Sequence, residues 1–194
     1  MDSDYFAKQL EYLKDHNYST LSVQDLVVAL KEKRELKGKF VVITLDDGYK
    51  DAYEYAFPLA KKYKMIINLM LPTGLIGDPA YLSWGQVKEM KSSGLVFVYN
   101  HTDSHYPLAK GPEKKVLQEI NLAQEKLAKE LGPNLSKIIT YPYGSYNLDT
   151  IRIAEDNGFI AGLTTKGGVS QCNTFIMELR RQRIGNRNLS DYYL

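Results

Sequence analysis

Short apolar segments alternate with amphipathic helical segments along this chain, and this alternation restricts the possible folds more than any other sequence feature. The apolar runs predict strands at 40–45, 65–71, 95–99, 137–141 and 159–164. Alternating βα units of this length are typical of a parallel sheet with helices packed outside it. Five or six strands are too few for a complete eight-stranded barrel. We therefore predict an α/β fold, a distorted or incomplete (β/α) barrel, formed by one domain over residues 1–194.

The helical segments carry recognisable start and stop signals. A first helix is predicted over 4–16, and a second follows Ser22, where Ser22 and Asp25 resemble a capping box. The other helices are predicted near 51–63, from about 83, over 113–131 and over 147–157. A polar, glycine-containing loop at 166–174 precedes a possible last strand at 175–184.

Composition excludes some classes of protein and leaves others open. The formal net charge of +2 argues neither for nor against a nucleic-acid partner, and the basic run 180–183 is short enough to be solvated surface. Cys172 is the only cysteine, which excludes an intramolecular disulfide framework. No apolar run is long enough to span a bilayer and no signal peptide opens the chain. We expect either a cytosolic protein or a chain that begins after an export or anchor segment.

Two adjacent carboxylates follow the first strand of the alternating region. Asp46 and Asp47 precede Gly48, a pattern that is common in simple turns. Neighbouring residues that leave a strand point to opposite sides, so the two carboxylates can take separate tasks. One can bind a metal while the other accepts a proton from water.

A pair of histidines follows the strand at 95–99. His101 and His105 are spaced i, i+4, and on one turn of helix their rings would face the same way, as in zinc-binding helices. We interpret Asp103, between them, as a helix-capping residue that points away. Because the carboxyl ends of parallel strands share one face, we expect the histidines and a carboxylate to converge into a three-ligand metal site.

The third strand end carries Pro142, Tyr143 and Gly144. By itself this tripeptide indicates a tight turn before the helix that starts at Asn147. At a strand end it would also present backbone N–H groups, which can stabilise a tetrahedral oxyanion.

These segments, in this order, resemble a known family. Thr-Leu-Asp-Asp-Gly at 44–48 is similar to the T-F-D-D-G motif of polysaccharide deacetylases, the NodB-homology domain of carbohydrate esterase family 4. The segment 100–107 resembles the family's S-H-T-x-x-H-P motif, and 140–144 resembles R-x-P-Y-G. Further similarity at 6–13, 73–77 and 81–84 points to the poly-N-acetylglucosamine and intercellular-adhesin type of deacetylase.

The resemblance implies a metal-dependent hydrolase that removes acetyl groups from a glycan. It assigns Asp46 as the general base and Asp47, His101 and His105 as ligands of a divalent metal, most often Zn²⁺, with Co²⁺ or Ni²⁺ as substitutes. It assigns the backbone N–H of Tyr143 to the oxyanion, and the turn 142–144 to substrate binding. The implied partner is a glycan, with no nucleic acid, and the implied location is extracellular or at the cell envelope.

Two positions depart from the family pattern. Thr140 stands where the family often has an arginine that orients the base, and we expect Arg181 to supply that charge from elsewhere in the chain. No histidine follows His105, so the histidine that many members use as general acid is missing. These departures keep two alternatives open: an O-acetyl esterase on xylan or another acetylated polymer, and a sugar-binding domain with a weakened site.

Overall fold

The computed structural model describes residues 2–192. Its strands, in chain order, are β1 (Tyr18–Thr20), β2 (Lys39–Val41), β3 (Ile43–Asp46), β4 (Ile67–Leu71), β5 (Val96–Asn100), β6 (Ile138–Thr140) and β7 (Ala161–Leu163). Strands β3 to β7 form one sheet in which each strand pairs parallel with the next. This is the predicted incomplete (β/α) barrel, a curled half-barrel whose edge strands are β3 and β7.

The predicted helices are confirmed, and most begin at a capping residue. They are α1 (Ser3–Asp15), α2 (Val23–Lys31), α3 (Phe57–Tyr63), α4 (Trp84–Ser92), α5 (Glu113–Leu131) and α6 (Leu148–Asp156). Capping boxes start three of them, at Ser22, Ser83 and Asn147. The segment predicted as one helix over 51–63 has two parts, because a π-helical turn at Ala52–Ala56 precedes α3. Pro58 explains the change, since it lacks the N–H that would bond to the carbonyl four residues earlier.

The apolar run predicted as one strand at 40–45 contributes to two sheets. Val41 pairs with Thr20 of β1, whereas Ile43 pairs with Ile67 of β4. The chain therefore leaves the small β1–β2 sheet at Val42 and enters the half-barrel one residue later. The prediction of a single strand was wrong because both halves have the same apolar pattern and differ only in their distant partners.

The last strand predicted at 175–184 was also wrong. Residues Asn173–Glu178 form a 3-10 segment, and within 175–184, all of which the structure describes, Leu179 alone makes a β-bridge, with Leu163. The hydroxyl of Tyr141 donates a hydrogen bond of 3.0 Å to the carbonyl of Met177, and the N–H of Leu179 donates to the carbonyl of Gly162 in β7 at 2.8 Å. From Leu179 the chain crosses the open edge of β7 toward the site.

The core lies on both faces of the half-barrel. Every residue of β4 is buried, since helices cover its outer side and the barrel interior its inner side. Asn68, in β4, is fully buried and bonds through its amide to the N–H of Val23 and to the carbonyls of Leu21 and Ile43. Across residues 2–192, no helix combines the length and apolar character needed to cross a membrane.

Candidate functional site

The three sequence motifs lie together at the carboxyl ends of the strands. Asp46 ends β3, His101 directly follows β5, and the turn at 142–144 follows β6. The curled sheet arranges these ends around an open cavity of about 580 Å³. The polar side chains that line it include Asp46, Asp47, His101, His105, Tyr143 and Arg181.

Asp47, His101 and His105 form a compact group of potential metal ligands. One donor atom from each lies within 4.8 Å of the other two. Asp47 Oδ1 is 3.4 Å from Nε2 of His101 and 3.1 Å from Nε2 of His105. Ligand atoms about 2.1 Å from a tetrahedral zinc ion lie about 3.4 Å from one another, so the two distances from Asp47 fit such an ion.

The hydrogen bonding of His101 fixes the nitrogen that faces this group. Its Nδ1–H donates to the carbonyl of Thr140 at 2.8 Å, which leaves the lone pair on Nε2. In a neutral imidazole this lone pair and the Asp47 oxygen are both acceptors, so a cation or a proton between them is needed for a favourable contact. When the rings are protonated, hydrogen bonds from His101 and then His105 hold the pKa of Asp47 well below its usual range, against the opposing effect of burial. The three side chains are suited to a divalent cation.

The histidines reach this position by a route that the sequence analysis did not predict. Residues 101–105 form a loop, not a turn of helix, and both Thr102 (φ 65°) and His105 (φ 58°) have left-handed backbone conformations. The i, i+4 pair therefore converges through loop geometry. Asp103 is not a helix cap either: its carboxylate accepts bonds from Thr73 Oγ1 at 2.6 Å and from Lys126 Nζ at 2.7 Å.

Strained backbone is concentrated at this site. The described residues include seven non-glycine residues with positive φ, and four of them are Asp47, Thr102, His105 and Tyr143. Such conformations cost about 1–3 kcal/mol each and persist only where the surroundings impose them. Their clustering indicates that tertiary contacts hold the ligand-bearing segments in place.

Asp46 is not part of the group of potential ligands and is held by Arg181. The guanidinium donates to both carboxylate oxygens of Asp46, at 2.7 Å and 2.8 Å. Its Nε–H donates to the carbonyl of Thr164 at 2.8 Å, next to the end of β7. Arg181 therefore bridges the two edge strands of the half-barrel and fixes the Asp46 carboxylate in one orientation.

The turn at 142–144 forms another wall of the cavity. Pro142 is buried, whereas Tyr143 is 71% exposed, with its ring 4.5 Å from that of His105. Tyr143 adopts φ 59° and Gly144 φ 66°. A Cβ on Gly144 would collide with Thr165, so this position requires glycine on two grounds. Within residues 2–192, the N–H of Tyr143 has no hydrogen-bond partner.

Comparison with known proteins identifies the family. The family model for polysaccharide deacetylase matches residues 33–162. The chain belongs to the polysaccharide deacetylase family. This assignment agrees with the motifs at all three strand ends.

Solved structures share the fold of this polysaccharide deacetylase over almost its full length. A Streptococcus pyogenes deacetylase, PplD, solved in complex with acetate, matches with a TM-score of 0.92 and 32% identity, over 98% of this chain and 85% of that one. IcaB from Ammonifex degensii matches with a TM-score of 0.87 and 28% identity, over 95% of this chain and 84% of that one.

A curated relative gives similar agreement in sequence. The poly-beta-1,6-N-acetyl-D-glucosamine N-deacetylase of Staphylococcus epidermidis is 31% identical over 82% of this chain and 59% of its own length. The chain spans about 60% of the length of the curated relatives that it matches first.

One buried residue near this site was missed by the sequence analysis. Glu119 lies under the loop 101–105 and is 2% exposed. A signal for it exists in the sequence, since the buried face of α5 also includes Val116, Ile120, Ala123 and Leu127. A carboxylate at a position of this apolar stripe is a sign of a buried polar partner.

Proposed function

We propose that this chain is a metal-dependent hydrolase that removes acetyl groups from an N-acetylated glycan, with a polymer of N-acetylglucosamine as the substrate class. The observation that carries the proposal is a carboxylate, Asp46, clamped by Arg181 beside three potential metal ligands. The name of the Staphylococcus epidermidis relative supports the substrate class, and the acetate in the Streptococcus pyogenes structure fits the expected product. Such a substrate would place the enzyme outside the cell or at the cell envelope.

In this proposal Asp47, His101 and His105 hold a divalent ion, with Zn²⁺ favoured over Co²⁺ or Ni²⁺. Two imidazoles and one carboxylate suit all three ions, and they leave positions open for water and substrate. When bound, the ion supplies Lewis-acid polarisation of the acetyl carbonyl and makes water a better nucleophile.

The protein groups carry out the proton transfers and stabilise the developing charge. Asp46 acts as general base and takes a proton from the attacking water, while Arg181 keeps its carboxylate in the productive orientation. The backbone N–H of Tyr143 donates to the oxyanion of the tetrahedral intermediate, and Pro142 and Gly144 shape the turn against which the acetyl group binds. The C–N bond then breaks to release acetate, and protonated Asp46 returns its proton to the leaving amine.

Asp46 is assigned this second task because the cavity offers few other acids. Among the described residues that line it, the carboxylates are Asp46 and Asp47, and the imidazoles are the two ligands. The remaining histidine, His16, lies at the end of α1 and donates through Nδ1 to the carbonyl of Tyr12.

The small number of acidic groups in the cavity also supports a second candidate function, an O-acetyl esterase. An alkoxide leaves more readily than an amine when little acid assistance is available. The shortage of acids would therefore affect an esterase less than an N-deacetylase. Rates of acetate release from N-acetylglucosamine oligomers and from acetylated xylo-oligomers, measured side by side, separate the two functions.

The direct test of the proposal compares the wild-type protein with Asp46→Asn, each stripped of metal and reloaded with zinc or cobalt. Asn has the shape of Asp but accepts no proton, so the variant should bind metal normally and release acetate about 10²–10⁴-fold more slowly. Wild-type release should vanish with a chelator and return with metal. An Asp46→Asn protein with a near-normal rate would refute the assigned role.

A further inference from the structure

Glu119 lies beneath the loop that presents the two histidines. It is on α5, and its side chain is almost fully removed from solvent. A buried carboxylate is costly unless it is paired and hydrogen-bonded, so its partners indicate why it is there.

Most of those partners belong to the histidine loop. Oε2 of Glu119 accepts hydrogen bonds from the backbone N–H groups of Asp103 at 3.1 Å and Ser104 at 2.8 Å. Oε1 accepts a hydrogen bond from the Ser104 hydroxyl at 2.7 Å and forms an ion pair with Lys115 Nζ, also at 2.7 Å. One side chain thus binds two of the three residues that separate the histidines.

These bonds act where the backbone is strained. Thr102, just before the pair, and His105, just after it, both have left-handed conformations. An unsupported chain would relax from this conformation and move the imidazole of His105 away from Asp47. Without Glu119, two N–H groups of the loop would lose their acceptor. The loop would then have to change conformation for these groups to form other hydrogen bonds.

We propose that Glu119 is a positioning residue that holds the loop in its ligand-presenting conformation, so that metal affinity depends on a side chain that does not touch the metal. This inference rests on the proposed metal role of His101 and His105. It does not depend on which acetylated substrate the protein uses.

The test measures cobalt binding to Glu119→Leu and Glu119→Gln. Leu removes both acceptor oxygens, and loss of such an outer partner typically weakens metal binding about 10–100-fold. Gln keeps the volume and one acceptor oxygen, so it should fold as the wild type does and lose clearly less affinity than Leu. Glu130→Gln is the matched control, since Glu130 lies on the same helix and pairs with Lys88 at 2.7 Å.

Two readouts accompany the dissociation constants. The visible absorption spectrum of bound cobalt reports ligand geometry and should change for Glu119→Leu but not for Glu130→Gln. Amide hydrogen exchange in the metal-free proteins should speed up at residues 102–105 in Glu119→Leu. For Glu119→Gln, an affinity between those of the wild type and Glu119→Leu is the expected result.

A purely structural role would have another signature. If Glu119→Leu melts at a lower temperature but binds cobalt within twofold of the wild type with the same spectrum, the inference is overturned. The same holds if Glu119→Leu does not fold and Glu119→Gln binds like Glu130→Gln. Wild-type protein that binds cobalt but releases no acetate would refute the deacetylase proposal alone, whereas wild-type protein that binds no metal would overturn both.

Discussion

The contact between Arg181 and Asp46 allows a quantitative prediction of the stability and activity of the variant Arg181→Met. Methionine retains much of the apolar stem and removes the guanidinium, which makes two charge-assisted hydrogen bonds to Asp46 and one to Thr164. The Arg181 side chain is 16% exposed and that of Asp46 is 32% exposed. The substitution therefore leaves a partly buried carboxylate without its partner, next to Asp47.

The expected magnitudes follow from this geometry. Hydrogen bonds to charged groups contribute about 1.5–3 kcal/mol each, and the partial exposure of Asp46 favours the low end because water can replace the guanidinium. We expect a loss of about 3 kcal/mol in the free energy of unfolding, or about 6–12 °C in Tm for a chain of this size. Misplacement of a base by about 1 Å can cost about 10²-fold in rate, so kcat/KM should fall about 100-fold.

The assay is acetate release by zinc-loaded protein at a temperature where both proteins are folded, together with metal content. Metal content should not change, because Arg181 contacts none of the three potential ligands. Arg180→Met is the matched control, since Arg180 is the exposed neighbour of Arg181 and should tolerate the same change. If Arg181→Met keeps kcat/KM within threefold of the wild type, the orienting role is refuted.

Two further predictions concern the ligands and the response to pH. His101→Ala and His105→Ala should each lower zinc content from one ion per chain toward zero by elemental analysis, and unchanged stoichiometry in both would contradict the ligand assignment. For metal-free protein, burial acts to raise the pKa of Glu119, but bonds from Lys115 and Ser104 more than offset it, so the pKa lies below its ordinary value. A carboxylate whose pKa is lowered in the folded protein stabilises the fold at pH values above its ordinary pKa of about 4.3. This stabilisation is lost as the pH falls through the pKa of the folded protein. The advantage of the wild type over Glu119→Gln in urea unfolding should thus be greatest near pH 7 and shrink as the pH falls below the ordinary pKa of a glutamate toward the lowered folded-state pKa; a constant difference would contradict this.

Local patterns were sufficient to predict the class of fold. Apolar runs of strand length alternated with amphipathic helices, and the capping residues Ser22, Ser83 and Asn147 marked helix starts that the structure confirms. Both errors in strands arose where pairing depends on distant partners. The run at 40–45 divides between two sheets, and the segment at 175–184 pairs with β7 through a single bridge at Leu179.

The sequence by itself determined which chemical groups are available and at which strand ends they lie. Two carboxylates, two imidazoles and a glycine-containing turn follow strands of a parallel sheet, so their convergence on one face follows from topology. The tertiary structure decided their orientation. The histidines converge through a strained loop supported by Glu119, and Arg181 pairs with a carboxylate 135 residues away. Such contacts join segments that are distant in the chain, and no local pattern of hydrophobicity or turn residues encodes them.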